Sequence, residues 1–272
     1  MFNEDKTIAA AQKVMLEILQ EIHKICVENN ITYWLEAGTL LGAVRHKGFI
    51  PWDDDCDISM PRADYEKFLK VARSKLPKDM FLQTKDTDKE YPLPWAKVRK
   101  NDTLLVESGE TGKENYHHGI FVDIFPYDYY KYKWAIKLME WCRTFKDKKN
   151  KYPKGSAYRV IVTIYTNIIM ALPVRIVVFI VKFFKKHKEI VCCNDGEFFT
   201  YAIEGENVRL TKKEDILPTK LVNNVFENKD FFIPNNPDRV LKANFGASYM
   251  SLPPVEQRKT HAKYIVIDYN KE

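Results

Sequence analysis

The stretch GFIPWDDDCDISM, residues 48–60, places four aspartates, Asp53, Asp54, Asp55 and Asp57, within five positions. Carboxylates this close repel one another unless a cation, a basic neighbour or solvent lies among them. The flanking Phe49, Ile50, Trp52, Ile58 and Met60 are too apolar for a solvated acidic turn. In a strand, alternate side chains share a face. Asp53, Asp55 and Asp57 then line one side, and Cys56 and Ile58 turn toward the core. Asp54 points the other way and is expected to tolerate substitution. Carboxylates two residues apart on one face converge on a hard divalent cation, Mg²⁺ or Mn²⁺. The nearest rival is a calcium loop, whose glycine and closing glutamate positions are taken here by Ile58 and Asp64.

A second acidic position follows the same logic. GIFVDIFPYD sets Asp123 between Val122 and Ile124 in an apolar run, where a carboxylate is costly without a cation or partner. Beside the D-x-D, Asp123 reads as a third metal ligand or a general base. Upstream, EAGTLLGAVRHKG brings a strand into a helix at Gly38 and Thr39, and backbone N–H groups at such a terminus bind phosphate. No P-loop pattern is present. A phosphate cradle beside paired metal carboxylates is the equipment of metal-assisted phosphoryl transfer. Arg45, Lys97 and Arg99 are the nearby cations that would hold the remaining phosphate charge.

The elements that must position these residues are legible in part. Residues 5–29 form an amphipathic helix with Val14, Ile18, Ile22 and Cys26 on one face. ITYWLEAG is expected as a strand, TLLGAVRHKG as a short helix from Thr39 to near Gly48, and DCDISM as a strand closed by Pro61. RADYEKFLKVARSKL reads as a surface helix, FLQTK and AKVRK as short strands, and HHGIFVDIFPYD as a strand bounded by Gly119 and Pro126. Residues 1–130 therefore read as an α/β or α+β catalytic core. Residues 131–190 are lysine-rich, aromatic and helical in character, an inserted helical subdomain. Residues 191–272 are polar and turn-rich and complete the catalytic domain.

The chain has 272 residues and is 45% hydrophobic, enough for one large core. Its net charge of +6 is too mild for a nucleic-acid-binding protein and compatible with an anionic substrate or membrane surface. Five cysteines without C-x-x-C spacing argue against a disulfide framework or zinc knuckle and for a cytoplasmic location. The first residues, acidic and then amphipathic, are no signal peptide. The run Val160–Val174 is 15 residues long, short of the roughly 20 that a spanning helix needs, and Arg175 follows it. With its basic flanks, the segment 159–188 is read either as a helical pair broken at Pro173 or as a peripheral contact with the membrane.

Three motifs, WLEAGTLLGAVRHKGFIPWDDDCDISM, GIFVDIFPYD and FGASYMSLPP, resemble the LicD family of phosphocholine transferases, which are related to fukutin-type ribitol-phosphate transferases. The resemblance implies an α+β, nucleotidyltransferase-like fold with a mixed sheet core. It implies Asp55 and Asp57 as the Mg²⁺ (or Mn²⁺) pair, Asp123 as the third carboxylate, and Gly38 and Thr39 at the nucleotide-side helix. The implied reaction moves phosphocholine from CDP-choline to a sugar hydroxyl of a lipid-linked glycan or teichoic acid precursor at the inner membrane face, releasing CMP. Aromatic faces hold quaternary ammonium groups, so Trp34, Trp52, Trp95 and Tyr249 become candidate choline contacts. A CDP-ribitol or CDP-glycerol transferase of the same fold is one alternative. A D-x-D nucleotide-sugar glycosyltransferase and a non-catalytic scaffold are the others.

Overall fold

The computed structural model describes residues 4–130, 198–200 and 211–269. The helical subdomain expected at 131–190, and the segment 159–188 read as a membrane contact, lie outside the described residues. The chain divides into a unit of residues 1–127 with 214–272 and a second unit of residues 128–213.

In chain order the elements are α1 Glu4–Glu28, β1 Trp34–Leu35, α2 Ala37–Arg45, β2 Asp57–Pro61, α3 Arg62–Lys75, β3 Met80–Gln83, β4 Ala96–Lys100, β5 Leu104–Glu107 and β6 Phe121–Tyr130. They continue with β7 Phe198–Thr200, β8 Thr211–Lys212, β9 Lys220–Phe226, β10 Lys229–Ile233, α4 Pro237–Phe245 and β11 Ala262–Val266. In the first unit the strands run in the order β1-β2-β6-β4-β3. The β2–β6 pair is parallel, and the other three are antiparallel. This is the mixed sheet expected of an α+β core.

Helix α1 buries Ile8, Ala11, Met15, Ile18, Leu19, Ile22 and Cys26, the spacing of three and four that its amphipathic sequence demands. Helix α3 turns Tyr65, Phe68 and Ala72 inward. Strand β1 is much shorter than ITYWLEAG suggested. After Leu35 the Glu36 N–H donates to Asp57 O at 3.0 Å, and Ala37, at φ 44°, turns the chain into α2. Strand β6 runs on through Pro126, beyond the boundary read from the sequence. Its β4 ladder has ended by Ile124, so no β4 partner requires the missing N–H.

The C-terminal segment holds structure that its turn-rich composition concealed. Strands β9 and β10 form a hairpin closed by Glu227 and Asn228, at φ 49° and 58°, a two-residue turn matched to strand twist. Helix α4 starts where the Asn236 side chain accepts the Arg239 N–H, with Pro237 in the first turn. Strand β11 pairs antiparallel with β5. In the second unit, Asp128–Tyr130 of β6 pairs with β7, which in turn pairs with β8.

Candidate active site

Only Asp57 of the acidic run belongs to strand β2; residues 53–56 lead into it without regular secondary structure. Side chains and backbone from distant parts of the chain hold that approach in place. Gln12 of α1 donates to Ile50 O at 3.0 Å and Asp53 O at 2.8 Å. The tip of the β9–β10 hairpin grips the preceding turn, with Glu227 Oε1 accepting the Phe49 N–H at 3.0 Å and Lys47 O accepting the Glu227 N–H. Gly42 passes Gly48 so closely that a Cβ there would lie 2.4 Å from Gly48 O. The Asp57 N–H donates to Thr39 Oγ1 at 2.8 Å, and the Asp123 N–H donates to Cys56 O at 2.8 Å.

Register then assembles the chemistry. Asp57 lies directly beside Asp123 across the parallel β2–β6 pair, and Asp123 lies beside Lys97 across β6–β4. Lys97, 1% exposed, places Nζ 3.2 Å from Asp123 Oδ2 and 3.2 Å from Glu107 Oε2, over the ring of Phe121. Trp95 Nε1 donates to the other Asp123 oxygen at 2.7 Å. Burial pushes the Asp123 carboxyl up to about 6, against the pull of Lys97. Burial and then the Asp55 and Asp123 charges hold Asp57 well above the usual carboxylate range. Asp53 is raised by burial and by Asp55; Asp55 is raised by burial and by Asp54. The cluster therefore carries more negative charge than its own cations neutralise.

Among the described residues, no three His, Cys, Asp or Glu side chains form a group that could hold a metal ion. The expected set of Asp55, Asp57 and Asp123 is thus not a ready-made cage, since both Asp123 oxygens already accept hydrogen bonds from Trp95 and Lys97. The donor chemistry still suits Mg²⁺, which binds through one or two carboxylates and completes its shell with water and substrate phosphates. Asp55 and Asp57, both raised by burial and neighbouring charge, fit that requirement.

The remaining site candidates divide by what already engages them. Gly38 lies against the cluster, where an added Cβ would meet Asp53 Oδ2 at 2.8 Å; the Thr39 hydroxyl fastens α2 to β2. Arg45 stands at the opposite end of α2 from these two, with Nη1 donating to Tyr249 O at 2.9 Å and Ser251 O at 3.1 Å. Arg99 is 1% exposed and its guanidinium is committed to Gln83 Oε1 and Gly119 O, so it braces the sheet. Trp34 is fully buried, with Nε1 on Glu36 Oε2 at 2.7 Å and its ring edge-on to Tyr127. It is a core residue and offers no face to a ligand. Tyr249 is 8% exposed and donates its hydroxyl to Asp238. Trp52 carries the Arg258 guanidinium over its ring, 4.7 Å from the centroid.

Asp54, expected to tolerate substitution, is 2% exposed and accepts from the backbone N–H groups of His261 and Ala262. The same carboxylate raises the His261 imidazole to about 9, and its Nδ1 lies 3.8 Å from Asp55 Oδ2. Sequence reading also passed over Glu36, buried behind Asp57 with its carboxyl raised by burial, and Glu107, the second partner of Lys97. No local pattern marks His261 or Glu107. Glu36 stood within the first motif, next to Ala37 and Gly38.

Residues 30–159 match the LicD/FKTN/FKRP nucleotidyltransferase domain. Over 123 residues, 45% of this chain, it is 37% identical to the lipopolysaccharide cholinephosphotransferase LicD of Haemophilus influenzae, and the match covers 44% of that protein. Over 127 residues, 47% of this chain, it is 25% identical to the human ribitol 5-phosphate transferase FKRP, covering 23% of that protein. An uncharacterised Rickettsia typhi protein is 46% identical over 57 residues, 21% of this chain and 18% of that protein. The matches therefore span less than half the length of these relatives.

Proposed function

From the premise that the chain carries a LicD-family nucleotidyltransferase domain, we propose that it is a metal-dependent phosphotransferase that moves phosphocholine from CDP-choline to a hydroxyl of a cell-surface glycan or teichoic acid precursor. The observation that carries the reading is the Asp57–Asp123–Lys97 row across three adjacent strands, beside Asp55. These carboxylates are raised by burial and by neighbouring carboxylates, as suits a site that receives a cation and a phosphate.

Asp55 and Asp57 would hold Mg²⁺, which when bound supplies charge neutralisation at the donor pyrophosphate. The acceptor oxygen attacks the phosphorus bearing choline, and the bond from that phosphorus to the bridging oxygen breaks. CMP departs with the electron pair of that bond. The acceptor proton passes to a carboxylate, and Asp123 suits this task. Its value of about 6 lies near neutrality, where a general base works best. Trp95 and Lys97 fix its two oxygens, and Lys97 offsets the charge that develops nearby. Gly38 lets the Asp53 carboxylate pack closely against the start of α2. A lipid-linked acceptor would be met at the cytoplasmic face of the membrane; among the described residues no helix is long and apolar enough to cross one.

One observation favours a second reading within the same chemistry. The Trp52 face, a candidate seat for choline, is occupied by Arg258. A donor bearing a polyol phosphate, CDP-ribitol or CDP-glycerol, has no need of that seat. Titrating the protein with CDP-choline, CDP-ribitol, CDP-glycerol and UDP-sugars, with and without Mg²⁺, separates these readings, as does following CMP release with acceptor present. Mg²⁺-dependent binding and turnover of CDP-choline is the expected result. Turnover of a polyol donor alone moves the assignment to the second reading, and preference for UDP-sugars overturns both.

A further inference from the structure

Arg258 follows the Pro253-Pro254 pair in the segment between α4 and β11. Its Nε donates to Pro253 O at 3.0 Å, and its guanidinium lies on the Trp52 ring, 4.7 Å from the centroid. A stacked guanidinium keeps its charge and the outer edge of its donor fork, held in one plane by the aromatic platform. Trp52 immediately precedes Asp53, so the platform fixes this cation at the edge of the carboxylate cluster. Arg45 approaches the same edge. It is tied to the carbonyls of Tyr249 and Ser251 in the segment that delivers Arg258. Among the described residues neither guanidinium has a carboxylate within ion-pair distance. Burial, and then the charge of Arg258, lowers the Arg45 pKa, while Asp53 partly restores it. Two like charges held close without an ion-pair partner repel one another, and an anion received between them relieves that repulsion.

We propose that Arg258 is a binding residue for the phosphates of the nucleotide donor, paired with Arg45 and aimed by Trp52, so that Trp52 serves as platform for an internal cation rather than as a seat for the substrate's. The proposal rests on the phosphotransferase reading and adds the ligands for the anionic side of the site. Charge is then divided across the entrance. Carboxylates take the divalent ion and the two guanidiniums take the phosphate oxygens that the ion does not reach. The assignment also links the first and third sequence motifs, since Trp52 belongs to one, and Arg258 lies four residues beyond the end of the other.

Calorimetric titration of the full chain with Mg²⁺ and each CDP-linked donor tests this, using Arg258→Ala, Arg258→Gln, Arg258→Lys and Trp52→Leu. Loss of charged hydrogen bonds to phosphate predicts donor binding weaker by about 10- to 100-fold in Arg258→Ala and Arg258→Gln. Arg258→Lys recovers part of the loss by keeping the charge without the fork, and Trp52→Leu weakens binding in the same direction by less. The salt dependence of binding flattens in the variants that lose the charge. In turnover the loss falls on KM more than on kcat. The glutamine variant covers the case in which alanine unfolds the segment, and melting temperatures identify that case. If the wild type binds a CDP-linked donor and Arg258→Gln, still folded, binds it equally well, the proposal fails and the phosphotransferase reading stands. A wild type that binds no CDP-linked compound overturns that reading and the proposal with it.

Discussion

Two sides of one short loop, Asp54 against Asp55 and Asp57, treat the same functional group in opposite ways. Asp54 is buried, yet it accepts backbone N–H groups from His261 and Ala262 and sits beside the His261 imidazole. Burial works against its charge, but those donors win, and its carboxyl lies below the ordinary value. One and three residues further on, Asp55 is raised by burial and by the Asp54 charge, and Asp57 by burial and by the Asp55 charge. A buried carboxylate whose donors are supplied by the fold acts as a fastener. One whose charge the fold leaves uncompensated is kept for something that arrives later. Partial or full loss of water is common to both; compensation separates them.

The sharpest way to break this contrast is to neutralise one side at a time. Asp57→Asn is expected to lower turnover by about 1,000-fold, the scale of losing a metal ligand or acid–base group. Its melting temperature should hold or rise, because a repelling buried charge is removed. Unfolding of this variant would place Asp57 with the fasteners. Lys97→Met removes the cation between Asp123 and Glu107 and should destabilise the fold by about 3 kcal/mol in denaturant melts, as uncompensated buried charge does. A neutral outcome there would mean that solvent or protonation already satisfies those carboxylates.

Asp54→Ala is expected to cost about 2 kcal/mol of stability, since it strands two backbone donors. Turnover per folded molecule should fall far less than in Asp57→Asn. The reverse pattern, full stability with lost activity, would erase the distinction. The smallest effect concerns His23, which burial holds below its ordinary value while its Nδ1 lies 2.6 Å from Tyr33 Oη. A lowered histidine binds fewer protons in the folded state, so the stability it contributes is present above about 6.5 and lost as pH falls through its folded value. Urea midpoints at pH 7.5 and pH 5 should converge slightly in His23→Gln. An unchanged acid slope would assign that loss to other groups.

Local pattern made several elements readable before any fold was known. The spacing of Val14, Ile18, Ile22 and Cys26 announced α1, and FLQTK and AKVRK announced β3 and β4, because burial on one face imposes a period on the sequence itself. Density of charge in an apolar setting drew attention to Asp53, Asp54, Asp55, Asp57 and Asp123, and the family resemblance set Asp55 and Asp57 apart as the metal pair. The hairpin of β9 and β10 was missed because Glu227 and Asn228 take positive φ without the glycine that usually advertises such a turn. Helix α4 was missed although Asn236 and Pro237 form a recognisable start. There the surrounding turn residues outweighed the signal.

The assignments that went astray were all questions of what stands opposite a side chain. Arg99 and Lys97 are two residues apart on β4 and both buried; only their partners make one a brace on Gly119 O and the other the partner of the Asp123 carboxylate. Trp34 and Trp52 are both tryptophans of one motif, and the core closes over the first while Arg258 settles on the second. The chain by itself determined which residues carry charge, which segments have a buried face and where acidic groups crowd, because these depend on composition and near neighbours. Tertiary structure alone decided which carboxylates are compensated. Their donors come from Trp95, Lys97, His261 and Ala262, and partners that far apart meet only after strand register and loop closure have been settled.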